Sequence, residues 1–431
     1  MKRILSVLLG LVILAGLGIL AFYWRASIAP VAPAPAGSFS AQLVRQGSVL
    51  AGIGNCAACH TVKGGAAFAG GFAVDTPFGT IYSTNITPDT ATGIGAWSQP
   101  AFSRAMREGV RRDGAHLFPA FPYTHFASVT DADLTALYAF LMSQPAVNAP
   151  ARENTVPFPL NVRALQAGWK LLYFDRSLNR TDATRSADWN RGRYLAEGLA
   201  HCAACHTPRN KLGAEIAAAP YLGAKVDRWF APALTAANTA PLAWTESELY
   251  TFLRHGATAL HGSASGPMSD VVHGGLALAP DSDVHALAAY FADMNGSAAV
   301  PASTTQARLA AALARSAQVA DQDLDHGASL YLAACASCHS NSDGKAMALR
   351  PELGLNSALS AADPSNLVQV ILHGVSTRDG MAGVMMPGYG RTMGDADIAA
   401  LAGYLRSSRT AQPPWPDLQN QVAAIRQAGT P

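Results

Sequence analysis

Cysteine is scarce in this 431-residue chain: there are six, and every one belongs to a single recurring pattern. They fall as Cys56-x-x-Cys59-His60, Cys202-x-x-Cys205-His206 and Cys335-x-x-Cys338-His339. If all three boxes are used, no thiol is left for a structural disulfide. Charge is scarce as well. Asp, Glu, Lys and Arg make up 14% of the chain and the formal net charge is +2. That excludes a nucleic-acid-binding surface or a strong polybasic membrane patch as an organising feature. A second ligand pair at zinc-ribbon distance is missing, as is the βαβ pattern that would accompany a thioredoxin-like pair. There is also no nucleophile constellation and no phosphate-binding loop.

What is present is C-x-x-C-H, the sequence mark of covalent c-type haem. Each thiol adds to one vinyl group of the porphyrin, so the pair must span one edge of the ring. The adjacent His then supplies the proximal nitrogen to iron. Plain buried cysteines would not repeat one spacing three times. The expected cofactors are three covalently bound haem c groups. Cys56, Cys59 and His60 hold haem one, Cys202, Cys205 and His206 haem two, and Cys335, Cys338 and His339 haem three.

The chain opens MKR and then runs uncharged from Ile4 to Trp24, 21 residues. That length spans a bilayer core as a helix, and Lys2 and Arg3 predict a cytoplasmic N-terminus. Tyr23 and Trp24 would suit the far interface. A cleaved signal peptide is the alternative, although its apolar region is usually shorter, roughly 7–15 residues. The expected placement is the inner membrane, on one N-terminal anchor (1–24), with the haem domains in the periplasm. "SIAPVAPAPAG", within 25–40, reads as a stiff spacer.

The boxes sit inside a repeat. A short helix with a Gly near its start leads into each: "RQGSVLAGIGNCAACH", "RGRYLAEGLAHCAACH" and "DHGASLYLAACASCH". A middle amphipathic helix ending at Gly follows: "AFSRAMREG", "ELYTFLRHG", "LVQVILHG". A closing helix opens at Asp-x-Asp: "DADLTALYAFL", "DSDVHALAAYF", "DADIAALAGYL", with apolar residues at helical spacing. The acids suit a positive helix N-terminus, where the first can serve as cap. The fold expected is all-α: three tandem class I-like cytochrome c domains at 41–175, 188–300 and 320–411, after one transmembrane helix. A Pro-containing tail, 412–431, is expected to wrap a neighbouring domain or partner.

The repeat also locates the sixth iron ligand. Met268 and Met386 each lie twelve residues past the Gly that ends the middle helix, Gly256 and Gly374. The shared offset favours them over Met381 and Met385 as ligands, against the alternative of methionines filling core gaps. In the first domain the same count from Gly109 reaches Phe121, which cannot bind iron. Met106 and Met142 read as core. His125 is the favoured substitute; His116 or an open iron are the alternatives. Trp97 and Trp244 read as propionate partners or core aromatics. His255 and His373 read as helix C-terminal caps, and His261, His273, His285 and His326 as surface residues.

"NITPDTATGIGAW" after the first box, "CHTPRN" at the second, "GPM" at Met268 and "MPGYG" at Met386 make nearly the whole chain resemble a known family. It resembles the membrane-bound three-haem cytochrome c subunits of bacterial periplasmic alcohol, gluconate, sorbitol and aldehyde dehydrogenases. The resemblance implies a non-catalytic electron relay from a catalytic subunit to membrane ubiquinone. "PAFPYTHF" and "LHGSASGPMSDVV" look more like the branch serving molybdopterin aldehyde or nitrogen-heterocycle oxidoreductases, which adds an iron–sulfur subunit as partner. An aldehyde dehydrogenase is the partner expected. A quinoprotein or flavin-dependent alcohol, sugar or gluconate dehydrogenase is the alternative partner. A multihaem peroxidase or reductase using haem one is the alternative of another class.

Overall fold

The computed structural model describes residues 23–35, 37–175, 181–317, 324–340, 351–376 and 384–429. The chain divides into two compact units, residues 1–51 with 56–180 and residues 52–55 with 181–431. Helices dominate both. The paired strands among the described residues form short antiparallel hairpins, such as Ala73–Thr76 with Gly79–Tyr82 and Ala224–Val226 with Trp229–Ala231.

Each box segment shows the leading, middle and closing helices that its periodicity predicts. The leading helices are Ala41–Ile53, Ala187–Tyr194 and His326–Ala334. The middle helices are Gln99–Glu108, Glu246–His255 and Ser365–His373. The closing helices are Asp131–Met142, Asp281–Asn295 and Asp395–Arg409. Gly109 and Gly256 end their middle helices in the left-handed conformation, at φ 59° and 80°, where a side chain would add strain.

The glycine of each leading helix has a different purpose. A Cβ at Gly47 would lie 1.9 Å from Ala136 O, one at Gly192 1.9 Å from Ala286 O, and one at Gly327 2.4 Å from Ala400 O. At each of these positions the leading helix lies against the backbone of the closing helix of its own segment. Apolar residues of the closing helix fill the core below, such as Leu134, Leu137, Leu287 and Leu401, each at most 1% exposed. Met106 and Met142 are buried in that core, as expected.

Several expectations need correction. The first acid of each Asp-x-Asp is not a cap. The caps are Thr130, Pro280 and Gly394. The acids pair with arginines instead: Asp131 with Arg107, Asp281 with Arg254 and Asp395 with Arg426. Most of the expected anchor, residues 4–22, lies outside the described residues. Among the described residues no helix is long and apolar enough to cross a membrane, which overturns the single-anchor placement. Tyr23 accepts through its carbonyl from His116 Nε2 at 3.1 Å. Nor is the Ala/Pro stretch a free spacer. Ile28 N donates to Arg112 O at 2.8 Å and Val31 N to Ala96 O at 3.1 Å.

The tail packs on the third segment. Trp415 is buried, donates Nε1–H to Ala361 O at 3.0 Å and lies under the Arg406 guanidinium at 4.1 Å. A further helix follows, Leu418–Gln427.

The glycine crossing is testable. Gly47→Ala is expected to destabilise the first unit by about 1–3 kcal/mol, because the added methyl overpacks a close crossing. Gly168, also helical, has nothing within 4 Å of its Cβ position. Gly168→Ala is therefore expected to be neutral or stabilising by up to about 1 kcal/mol. Denaturant unfolding of both variants checks this; equal effects would refute the role of the crossing.

Candidate haem sites

The first and third boxes follow closely on their leading helices, whereas in the second a π-helical stretch, Leu195–Leu199, stands between helix and box. Cys56–His60 form one short helical turn, and Ala203–His206 and Ala336–His339 form the others, started by Cys202 and Cys335. None of the six cysteines is in a disulfide. Among the described residues no group of three or more His, Cys, Asp or Glu could form a metal cage.

The imidazoles are prepared for ligation. His60 Nδ1 lies 2.7 Å from Thr84 O, and His206 Nδ1 lies 2.7 Å from Pro232 O. A carbonyl can only accept, so Nδ1 carries the proton and Nε2 presents its lone pair. Burial lowers the pKa of both rings, partly offset by those carbonyls. Burial likewise lowers that of His339, with the Pro351 carbonyl opposing. A neutral ring is the ligating form. Burial, then the neighbouring thiol, pushes Cys56 and Cys202 up to about 12 and Cys335 up to about 11. These three thiols are held protonated at neutral pH.

Buried polar atoms also fit a haem. In the second segment the Tyr221 hydroxyl and Trp229 Nε1–H are buried without a hydrogen-bond partner among the described residues. Tyr221 stands close enough to Cys202 for the thiol to raise its pKa further, after burial. The Trp229 indole covers Gly266, next to Pro267 and Met268; a Cβ at Gly266 would lie 2.2 Å from the ring. Such orphaned donors are what propionate oxygens would satisfy. The residues present fit the group. Neither Tyr221 nor Trp229 emerged from the sequence, since an aromatic in a turn or on a short strand carries no spacing signal.

The other expected residues stand in varied surroundings. Met268 lies in the first turn of the helix Pro267–Gly274, half-buried. Met386 is half-buried and its backbone pairs with Val375. Met385 is 68% exposed, and Met381 lies outside the described residues. Phe121 packs edge-on against Phe126 with centroids 5.3 Å apart. His125 is buried in the short helix Tyr123–Phe126. His116 is buried with both nitrogens engaged: Lys170 Nζ donates to Nδ1 at 3.0 Å and Nε2 donates to Tyr23 O. Burial and Lys170 lower its pKa, which keeps this ring neutral.

Trp244, half-buried, is stacked on His261 at 3.8 Å and 14°. His261 is therefore not a surface residue; it is 3% exposed and its Nε2 is 3.3 Å from Glu248. His373 ends its helix, but burial and then Arg228 and Arg426 lower its pKa. That weakens its reading as a cationic cap.

Two family models and several curated relatives match the chain. Residues 44–145 match the family model "Cytochrome c", and residues 322–405 match "Cytochrome C oxidase, cbb3-type, subunit III". The chain is 46% identical over 417 residues to a nicotinate dehydrogenase subunit of Pseudomonas putida, covering 96% of this chain but 34% of that protein. It thus spans about a third of that relative's length. It is 37% identical to the fructose dehydrogenase cytochrome subunit of Gluconobacter japonicus, over 88% of this chain and 81% of the relative. It is 39% identical to the gluconate 2-dehydrogenase cytochrome c subunit of Pantoea cypripedii, over 85% of each.

The box geometry carries a direct test. The pyridine haemochrome of the purified protein is expected to give three haem equivalents per chain, with Cys202→Ala/Cys205→Ala reducing the number by one. A parent value of two would remove one box from the cofactor set.

Proposed function

The chain belongs to the cytochrome c subunits of dehydrogenase complexes, and from that premise we propose that it carries electrons from a molybdopterin dehydrogenase with an iron–sulfur subunit to ubiquinone. The observation that carries the choice of partner is the 46% identity to a nicotinate dehydrogenase subunit, against 37% and 39% for the fructose and gluconate relatives. Nicotinate is a nitrogen heterocycle. This favours a heterocycle over the aldehyde expected from "PAFPYTHF".

Three tandem domains, at 41–175, 188–300 and 320–411, would each hold one haem. The matching carbonyl bonds of His60 and His206 support this, as do the family models over the first and third segments. Haem, when bound, supplies a one-electron iron couple. The two cysteines of each box would hold the ring as thioethers, and the histidine, kept neutral, would offer Nε2 to the iron.

For the second axial position the reading is Met268 at haem two, Met386 at haem three and His125 at haem one. Phe121 is the positional counterpart of Met268. The residue after each middle-helix Gly pairs with His116 in the first segment and Ser263 in the second, and the candidate position lies five residues farther on in both. The occupied nitrogens of His116 favour His125 over it. Bis-imidazole ligation would set haem one at a lower potential than its partners, since Met raises the potential.

Two measurements test the reading. The native complex, purified through this subunit, is expected to contain molybdenum and iron beyond the haem complement. Pyrroloquinoline quinone or flavin without molybdenum would overturn the partner and favour a sugar or alcohol dehydrogenase. Low-temperature EPR and near-infrared spectra are expected to show two His/Met signatures, one lost in Met268→Ala and the other in Met386→Ala. Three such signatures in the parent would overturn the assignment of His125.

A further inference from the structure

The second hairpin has two occupied ends. Pro232, directly after its last residue, Ala231, holds the His206 imidazole. Its outer edge meets the third segment. Phe230 N donates to Asn366 Oδ1 at 2.8 Å, and Asn366 Nδ2 donates back to Phe230 O at 2.8 Å. Gln369 Nε2 donates to Arg228 O at 3.4 Å. Asn366 and Gln369 lie three residues apart on the middle helix Ser365–His373, and Gln369 is fully buried. A Lys225–Asp363 ion pair at 2.9 Å flanks them.

The first hairpin provides an internal comparison. Tyr82 N donates to Asn154 Oδ1 at 2.9 Å, and Thr155 N donates to Thr80 O at 3.0 Å. The register matches. Tyr82 and Phe230 each stand two residues before the carbonyl that holds the proximal imidazole, Thr84 and Pro232; Thr80 and Arg228 each stand four before it. The source of the partner differs. Asn154 and Thr155 lie just past the closing helix of their own segment, whereas Asn366 and Gln369 come from another box segment.

An open strand edge exposes unpaired N–H and C=O groups and is free to fray. A strand that must hold one carbonyl at a fixed place needs that edge paired. We propose that Asn366 is a positioning residue for haem two, so that the proximal site of haem two is complete only with the third segment docked on the second hairpin. Asn154 does the same for haem one from within the first unit. The strength of the Nδ1–H···O=C bond sets the basicity of the proximal imidazole. Loosening the strand weakens that bond and favours ferrous iron. The inference rests on His206 being the proximal ligand of haem two.

The test is a redox titration of the full chain. The haem-two component is identified as the one missing from Cys202→Ala/Cys205→Ala. Asn366→Ala is expected to shift that component to higher potential. Haem three, on the same segment as Asn366, is expected to keep its potential. Asn154→Ala is expected to shift haem one alone. Should Asn366→Ala lose haem, Asn366→Asp keeps the size and the acceptor for Phe230 N but loses the donor to Phe230 O, and the same shift is expected. Haem two unmoved in the variants that retain it, or haem three moving in its place, overturns the inference. If Cys202→Ala/Cys205→Ala loses no component, the haem assignment itself fails, which is apparent before any Asn366 variant is made.

Discussion

The crossing of the leading and closing helices at a glycine governs where each box can stand. Gly47, Gly192 and Gly327 leave room only for backbone, with a closing-helix carbonyl where a Cβ would be. In the first and third segments the leading helix runs almost directly into the first cysteine, so fixing the crossing fixes the first thiol; in the second, Leu195–Leu199 carries the chain on to Cys202. The residue before the glycine adds register in two segments. Arg191 binds Asp283 through Nε at 2.7 Å and Nη2 at 2.9 Å, and His326 meets Asp397 at 2.8 Å. Partly exposed pairs of this kind are worth roughly 0–1 kcal/mol. Close packing and apolar burial at the crossing therefore carry the energy, and the pairs select the alignment.

Periodicity made the nine helices of the repeat legible, because one face of each must be apolar and the glycines punctuate them. The boxes were legible because the chemistry of attachment leaves no freedom in spacing. What could not be read were contacts made by backbone or between distant segments. Thr84 and Pro232 act through carbonyls, which any residue possesses. Thr130 took the cap because its side chain reaches Asp133 N at 3.2 Å, while Asp131 is claimed by Arg107 from 24 residues away. His261 looked like a surface residue because a lone histidine in a polar stretch usually is one; its burial depends on Trp244 and Glu248 arriving from the preceding helix region.

The tail shows the same limit. "QPPWPDL" reads as a strap, since prolines stop helices, yet Trp415 enters the core of the third segment. Arg406 explains why. It is buried, its Nη1 donates to Leu359 O at 2.6 Å and Ala361 O at 2.7 Å, and its face lies on the Trp415 ring. A buried guanidinium needs several acceptors, and these carbonyls supply them while the indole covers the flat face. The third middle helix carries Leu372 where the others carry Arg107 and Arg254. Arg426 of the tail helix supplies the missing guanidinium to Asp395. The tail thus replaces an interaction that the other two segments make internally.

The two candidate methionines share an offset of twelve but are held by different means. In the second segment the strand after Gly256 closes at Ser263, and Met268 is carried five residues onward, onto a helix whose first turn starts at Pro267. In the third, Met386 is itself the strand partner of Val375, with hydrogen bonds of 3.0 and 2.9 Å between the two backbones. Backbone pairing fixes the Cα of Met386 directly. Met268 depends on Gly266, whose φ of 55° lets Trp229 lie against the chain at that point. Since Trp229 stands next to Phe230, which Asn366 holds, the same strand reaches toward both sides of the second site: Pro232 at the imidazole and Trp229 beside Met268. Moving that strand would disturb both together, whereas no comparable strand links Met386 to His339 among the described residues.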